Sequence, residues 1–407
     1  MFIVSLLPLL TSMILPIAQA HPLQSQPTQT VLTDLDTAKA VGGMVLAHDK
    51  TANLAITLLN DTQLNQLSWL NHSVGKCAGF EVLNDNESTQ PALTINNLLA
   101  STQNIQKSLW LSPMAIEHNE LYQQLANQAN PENLKETIRW ISSYPTRYNK
   151  AAQPNQHVDD LKIKLNDWLK DAPWPYSIDQ ITHQSTKQKT LRLRITGQSK
   201  PEEIIVLGAH FDSINSSLWG GSKGAAPGTD DNASGSSNLI EALKILKSTT
   251  QPQRTLEFYW YAGEESGLLG SAEIAKESKS SQRDIISVLQ LDMTLFPGDG
   301  EQKIGLMTDY TSPWLRSLFT LINNSYVNAS FIEDTCGYGC SDHASWHRQG
   351  YHAVIPFEAT MKTMNKNIHT SNDLFNDKTS LNHSNTFTKF AVLFALVLGN
   401  SDLRPAL

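Results

Sequence analysis

Cysteine is scarce in this chain, with three residues in 407. So few exclude a small domain stapled by many disulfides, and no second Cys or His pair stands at the spacing of a zinc finger. Positive charge is also in short supply: Lys and Arg number 31 against 39 Asp and Glu, a net charge of -8, and no basic cluster offsets that balance. A nucleic-acid partner is therefore not expected. After the first twenty residues no stretch approaches the roughly 18 to 20 apolar residues of a membrane span. What is present is ordinary globular composition, 40% hydrophobic and 17% charged with 18 Pro and 21 Gly. The length suits one large α/β domain plus a smaller segment, or two medium domains.

Residues Met1 to Ala20 are almost wholly apolar and end in Ala18-Gln19-Ala20, the small-x-small pattern read by signal peptidase. Pro8 and Pro16 interrupt the run and no Lys or Arg precedes it, yet polar residues from His21 onward suit a cleavage junction. The expectation is a signal peptide over 1–20 and a secreted product. In an oxidising compartment Cys336 and Cys340, with Gly337 and Gly339 between them, read as a short-loop disulfide, a shared metal site being the competing reading. Cys77 has no partner in sequence.

From His21 to about Trp110 the chain is rich in Gln, Asn, Thr and Leu with weak periodicity, and reads as a propeptide or an accessory subdomain. The remainder, 111–407, reads as the catalytic domain. Pro131-Glu132 opens a helix with Leu134, Ile138 and Ile141 on one face, and Val158, Leu161, Leu165, Trp168 and Leu169 mark a second. Leu191, Leu193 and Ile195 alternate with Arg192 and Arg194, as in a half-exposed strand near a sheet edge. Ile204 to Leu207, Phe258 to Tyr261, Val288 to Leu291 and Ala353 to Ile355 are continuously apolar, which predicts central strands covered on both faces. Helical stretches such as Ser236 to Lys247 alternate with them. The expected fold class is α/β, with a mixed, largely parallel central sheet flanked by helices.

In open α/β sheets functional groups collect beyond the carboxyl ends of strands. Here three such ends deliver His210 with Asp212, Glu264 with Glu265, and Asp292; a loop before a helix adds Asp230 and Asp231, and His369 supplies a second imidazole. Carboxylates gathered at one end of a sheet repel one another unless a cation neutralises them, so bound metal is inferred. Two His with several carboxylates and no thiolate suit zinc, with manganese or cobalt able to substitute, and the set is large enough for two ions. An attacking water also needs a base beside the metals. In Glu264-Glu265 the adjacent side chains diverge, so one can ligate while the other faces substrate.

These residues resemble the M28 metallopeptidases, and within them the secreted bacterial leucyl aminopeptidases. The matching motifs are Gly208-Ala-His-Phe-Asp-Ser213, Ala226-Pro-Gly-Thr-Asp-Asp-Asn-Ala-Ser-Gly235, Tyr261-Ala-Gly-Glu-Glu-Ser-Gly267, Leu289-Gln-Leu-Asp-Met-Thr294, Asp334-Thr-Cys-Gly-Tyr-Gly-Cys-Ser-Asp-His-Ala-Ser-Trp346 and Ile368-His-Thr370. The resemblance implies a fold of the zinc aminopeptidase (phosphorylase/hydrolase-like) type. It implies one zinc on His210 and Asp292, another on Glu265 and His369, and Asp231 rather than Asp230 as the bridge. It also implies Glu264 as general base, Asp212 as hydrogen-bond partner of His210, and Tyr338 as donor to the developing oxyanion. Met293, Ile355, Phe357, Met361 and Ile368 align with the apolar pocket for the first residue, although such side chains also serve as core. Met361 and Met364 stand where relatives often carry aromatics. The implied substrates are peptides with a free N-terminus and a large apolar first residue. A monomer is expected. Alternatives within the same fold are a single-zinc glutaminyl cyclase, a carboxypeptidase, and a binding module without catalysis.

Overall fold

The apolar runs become strands, and their two faces explain why they are apolar throughout. A computed structural model describes residues 28–73, 79–83, 85–107, 116–216, 224–298 and 303–405. The expected signal peptide, Cys77 and the boundary at 110/111 lie outside the described residues.

The first elements are β1 (Thr28–Asp34), α1 (Leu35–Ala40), β2 (Met44–Asp49), β3 (Leu54–Asn60), α2 (Asp61–Ser73), β4 (Phe80–Val82), α3 (Asp85–Thr89) and α4 (Pro91–Lys107). Their strands form a separate sheet in the order β2-β3-β1-β4, packed around Val31, Leu59, Leu67 and Phe80. The weak periodicity of this region thus conceals a small antiparallel sheet.

Helices α5 (Glu120–Ala126), α6 (Pro131–Ser142) and α7 (Gln156–Leu169) follow. Helix α6 starts where expected: Asn130 accepts the Glu132 N–H at 2.9 Å, Pro131 occupies the first turn, and Leu134, Ile138 and Ile141 are buried. The main sheet is built from β5 (Tyr176–Ile181), β6 (Thr190–Ile195), β7 (Lys200–His210), β8 (Arg254–Tyr261), β9 (Asp284–Gln290) and β12 (Ala353–Val354), in the order β12-β9-β7-β8-β6-β5. Strands β12, β9, β7 and β8 are parallel, while β6 and β5 are added antiparallel. The alternating strand β6 lies one place in from that edge, as its pattern predicts.

Successive residues of β7 face opposite layers. Ile205, Leu207 and Ala209 join the core under α8 (Ala233–Leu246) and α12 (Leu381–Gly399), and Ile204 and Val206 join the core under α9 (Leu269–Ser280) and α11 (His343–Arg348). Helix α12 is 19 residues long and nearly all buried, yet no described helix is long and apolar enough to cross a membrane.

One expectation fails: Ala353 to Ile355 is an edge strand, not a central one. It is apolar because it is covered rather than because it is interior. The N–H of Ser312, at the start of α10 (Pro313–Ile322), donates to the Ala353 carbonyl at 3.0 Å. After Ile355 the chain leaves this sheet and enters a second one, in which β13 (Pro356–Phe357) pairs with β10 (Ile304–Met307) and β10 with β11 (Phe331–Asp334). That crossing brings Ile355 and Phe357 to the carboxyl end of the main sheet.

Candidate metal centre and active site

The parallel strands β7, β8 and β9 end side by side, with His210 opposite Tyr261 and Gly208 opposite Gln290 in the register. His210 closes β7, and Asp292 follows β9. Glu264 and Glu265 lie on a single 3-10 turn after β8, and Asp231 lies just before α8. The turn is held by glycines at both ends. At Gly267, where φ is 104°, a Cβ would also lie 2.7 Å from Val82 Cγ2.

Asp231 faces two ways. Its Oδ1 lies 2.9 Å from His210 Nε2, which is also 3.2 Å from Asp292 Oδ1. Its Oδ2 lies 2.9 Å from His369 Nε2, which is 2.8 Å from Glu265 Oε2. Two groups of three potential ligands, His210/Asp231/Asp292 and Asp231/Glu265/His369, therefore share one carboxylate. All five residues are buried. Tetrahedral zinc with bonds of about 2.0 Å places its ligand atoms about 3.3 Å apart, close to these separations, so the donor set fits zinc in size and chemistry.

The electrostatics point the same way. Burial disfavours a charged imidazole, yet Asp292, Glu264, Asp212 and Asp231 carry His210 well above its ordinary value. Glu265, with Asp231, does the same to His369. Burial pushes Glu265 up to about 7 with help from Asp231, and His369 opposes it. Burial also lifts Glu264 well above its usual range; His210 opposes the shift, while Glu265, Asp292 and Asp342 add to it. This much buried negative charge calls for cations at the point where the ligands converge.

Asp212 does more than expected. Its Oδ1 stands 3.5 Å from His210 Nδ1, and its two oxygens accept the N–H groups of Glu264 and Glu265 at 3.0 and 3.3 Å. One carboxylate therefore links the β7 and β8 ends. Asp230 is turned away from the centre: Oδ1 accepts the Leu295 N–H and Oδ2 the Asn365 amide, each at 3.0 Å. Among the described residues, Glu264 Oε1 has no hydrogen-bond partner.

The apolar residues expected at the substrate pocket form one cluster: Met293, Ile355, Phe357 and Ile368 are buried with Met307, Met364 and Tyr338, and Met361 packs against them. Cys336 and Cys340 are disulfide-bonded in the same cluster. Asp309 anchors their loop by accepting the N–H groups of Cys336 and Gly337 at 3.1 and 2.6 Å.

Several residues escaped the sequence reading. The Asp373 carboxylate accepts the Asp230 and Asp231 N–H groups at 3.1 and 3.0 Å, tying the segment after His369 to the shared Asp. Asn232 accepts the Gly235 and Met293 N–H groups at 2.9 and 3.3 Å and donates to the Leu291 carbonyl, so it braces Asp231 against Asp292. Its place directly after Asp231 was a usable signal, as was that of Asp373 four residues beyond His369. Arg147, behind the centre, offered none.

Residues 191–392 match peptidase family M28. A probable aminopeptidase of Saccharomyces cerevisiae is 34% identical over 295 residues, 71% of this chain and 78% of that protein. Leucine aminopeptidase 1 of Aspergillus niger is 34% identical over 274 residues, 64% of this chain and 69% of that protein. Among solved structures, the LapA aminopeptidase of Legionella pneumophila superposes with a TM-score of 0.79 at 27% identity, covering 93% of this chain and all, 100%, of that one. With the site geometry these likenesses make the protein a metalloaminopeptidase, and the chain belongs to the M28 peptidase family.

Proposed function

We propose that the protein is a secreted two-zinc aminopeptidase that removes a large apolar, leucine-like first residue from peptides. The observation that carries this reading is the division of Asp231, with Oδ1 toward His210 and Asp292 and Oδ2 toward His369 and Glu265. In this reading these five residues would hold two zinc ions, whose chemistry there would be to acidify the attacking water and polarise the scissile carbonyl.

Glu264 takes the proton of that water on its carboxylate and passes it to the departing amine. Asp212 holds the His210 ring through Nδ1 and keeps the Glu264 main chain in place. The Tyr338 hydroxyl donates to the carbonyl oxygen as negative charge develops there. The cluster of Met293, Ile355, Phe357, Met361 and Ile368 receives the first side chain. Its methionines are flexible, which suits several apolar shapes with leucine among them.

Export is supported by the Ala18-Gln19-Ala20 pattern and by the Cys336–Cys340 disulfide. Mass spectrometry of the released protein should find an N-terminus at His21 or further on. In this reading 21–110 is a propeptide or accessory unit of a monomeric enzyme, which light scattering on the purified protein checks.

The direct test pairs metal analysis with hydrolysis of leucine-p-nitroanilide before and after chelation. About two zinc per chain, with activity lost to the chelator and restored by zinc, is the expected result. One zinc per chain with cyclisation of N-terminal glutamine, or equal cleavage of N-terminally blocked peptides, would overturn it.

A further inference from the structure

We propose that Arg147 is a positioning residue of the metal centre, holding the His210 strand end and the Asp231 turn at a fixed separation and so setting zinc affinity without touching zinc. The inference rests on the two-zinc reading. Arg147 lies between α6 and α7 and is 1% exposed. Its Nε–H donates to the Phe211 carbonyl at 3.0 Å, directly after His210. Nη1 donates to Pro227 O at 2.5 Å and to Ile141 O at 3.2 Å, and Nη2 donates to Gly228 O at 2.9 Å, at the start of the turn that ends in Asp231.

The main chain of Arg147 extends the brace. Its N–H donates to Ser213 Oγ at 3.1 Å, and that hydroxyl donates to Ala226 O at 2.7 Å, so the same two segments are joined a second time. Its carbonyl accepts Gln188 Nε2 at 2.9 Å, while Gln188 Oε1 accepts the N–H of Gly263, the residue before Glu264, at 2.9 Å. Three of the five ligand-bearing segments, those of His210, Asp231 and Glu265, therefore converge on one residue. Gly228 makes room for it: φ is +52° there, and a Cβ would sit 2.7 Å from Arg147 Nη2.

A buried guanidinium bonded only to carbonyls, among the described residues, is costly unless nearby negative charge compensates it. That charge belongs to the centre. Burial lowers the Arg147 value to about 10, and Asp373, Asp212, Asp231 and Glu265 oppose the loss, so the side chain remains a cation at neutral pH. Lysine could supply the charge but not the planar fork that spans Phe211, Pro227 and Gly228.

The test compares wild type with Arg147→Gln and Arg147→Lys. Zinc affinity is read by competition with a chromophoric chelator, kcat and KM on leucine-p-nitroanilide at saturating zinc, and Tm on metal-free protein. Loss of an outer-shell partner typically weakens metal binding by about 10–100-fold, which is expected for Arg147→Gln with kcat falling more than KM changes. Arg147→Lys should recover only part of this, and it decides the matter if Arg147→Gln does not fold. Variants with lowered Tm but zinc affinity and kcat within about twofold of wild type would reduce Arg147 to a stability residue and overturn the proposal. Wild type holding a single zinc would sink the two-metal reading alone, since the comparison then runs on that ion; wild type holding none would overturn both.

Discussion

Glu264 and Glu265 are neighbours in sequence, and the turn that carries them sends their side chains to different tasks. Glu265 Oε2 lies 2.8 Å from His369 Nε2 and belongs to a group of three potential metal ligands with Asp231 and His369, whereas Glu264 belongs to neither such group among the described residues. Glu264→Gln should therefore keep its metal content while kcat falls by about 10²–10⁴-fold, the usual contribution of a positioned base, because an amide cannot accept the proton. Asp231→Ala should behave in the opposite manner, losing zinc before any effect on saturated turnover can be read; metal analysis beside kcat separates the two. Glu264 and Glu265 were legible because they sit where an apolar strand stops and polar groups begin, and Asp231 because it stands in a polar loop just before a helix. Arg147 was not, since it acts through main-chain carbonyls, and no side-chain pattern marks an acceptor that every residue owns.

At the scale of elements, apolar runs revealed which strands are covered but not where they lie. Ala353 to Ile355 reads as central and lies at an edge because the start of α10 takes over the coverage that a further strand would give. Nor did the sequence show how the β5–β6 turn is held to α9. Glu273 of α9 accepts the Gln184 N–H at 3.0 Å and the Ser185 N–H at 2.8 Å, and it pairs with His183 at 3.4 Å. Burial raises its carboxyl, but the bonds from His183, Ser185 and Gln184 outweigh that and hold it at about 2 rather than 4.5. The folded value lies below the unfolded one, so the carboxylate contributes stability that is complete above about pH 4.5 and lost as pH falls toward about 2. Melting curves of wild type and Glu273→Gln should thus differ most near neutral pH and converge only as pH approaches about 2. A gap that stayed constant across that range would show that the hydrogen bonds matter and the charge does not.

Across the whole molecule, the small N-terminal sheet meets the catalytic part beside the turn of Glu264 and Glu265. The Val82 N–H donates to Gly267 O at 3.2 Å, and Phe80 and Val82 pack where Gly267 lacks a side chain. Nearby, Glu81 pairs with Arg348 of α11, the two side chains being only 7% and 5% exposed. A further contact, Lys150 with Asp61 at 3.8 Å, is solvated and contributes little. Burial pushes Glu81 up to about 7 against the pull of Arg348, so the pair is fully ionic only above that pH. At pH 8, Glu81→Leu takes the pairing carboxylate from a buried cation, a change that typically costs about 3–5 kcal/mol, whereas pairing it with Arg348→Met removes both charges and should recover most of the loss. If this pair holds the sheet in place, amide exchange over 79–83 should accelerate about a hundredfold or more in the single variant and return near the wild-type rate in the double. Equal exchange in all three proteins would assign the docking to the Phe80 and Val82 packing at Gly267 instead.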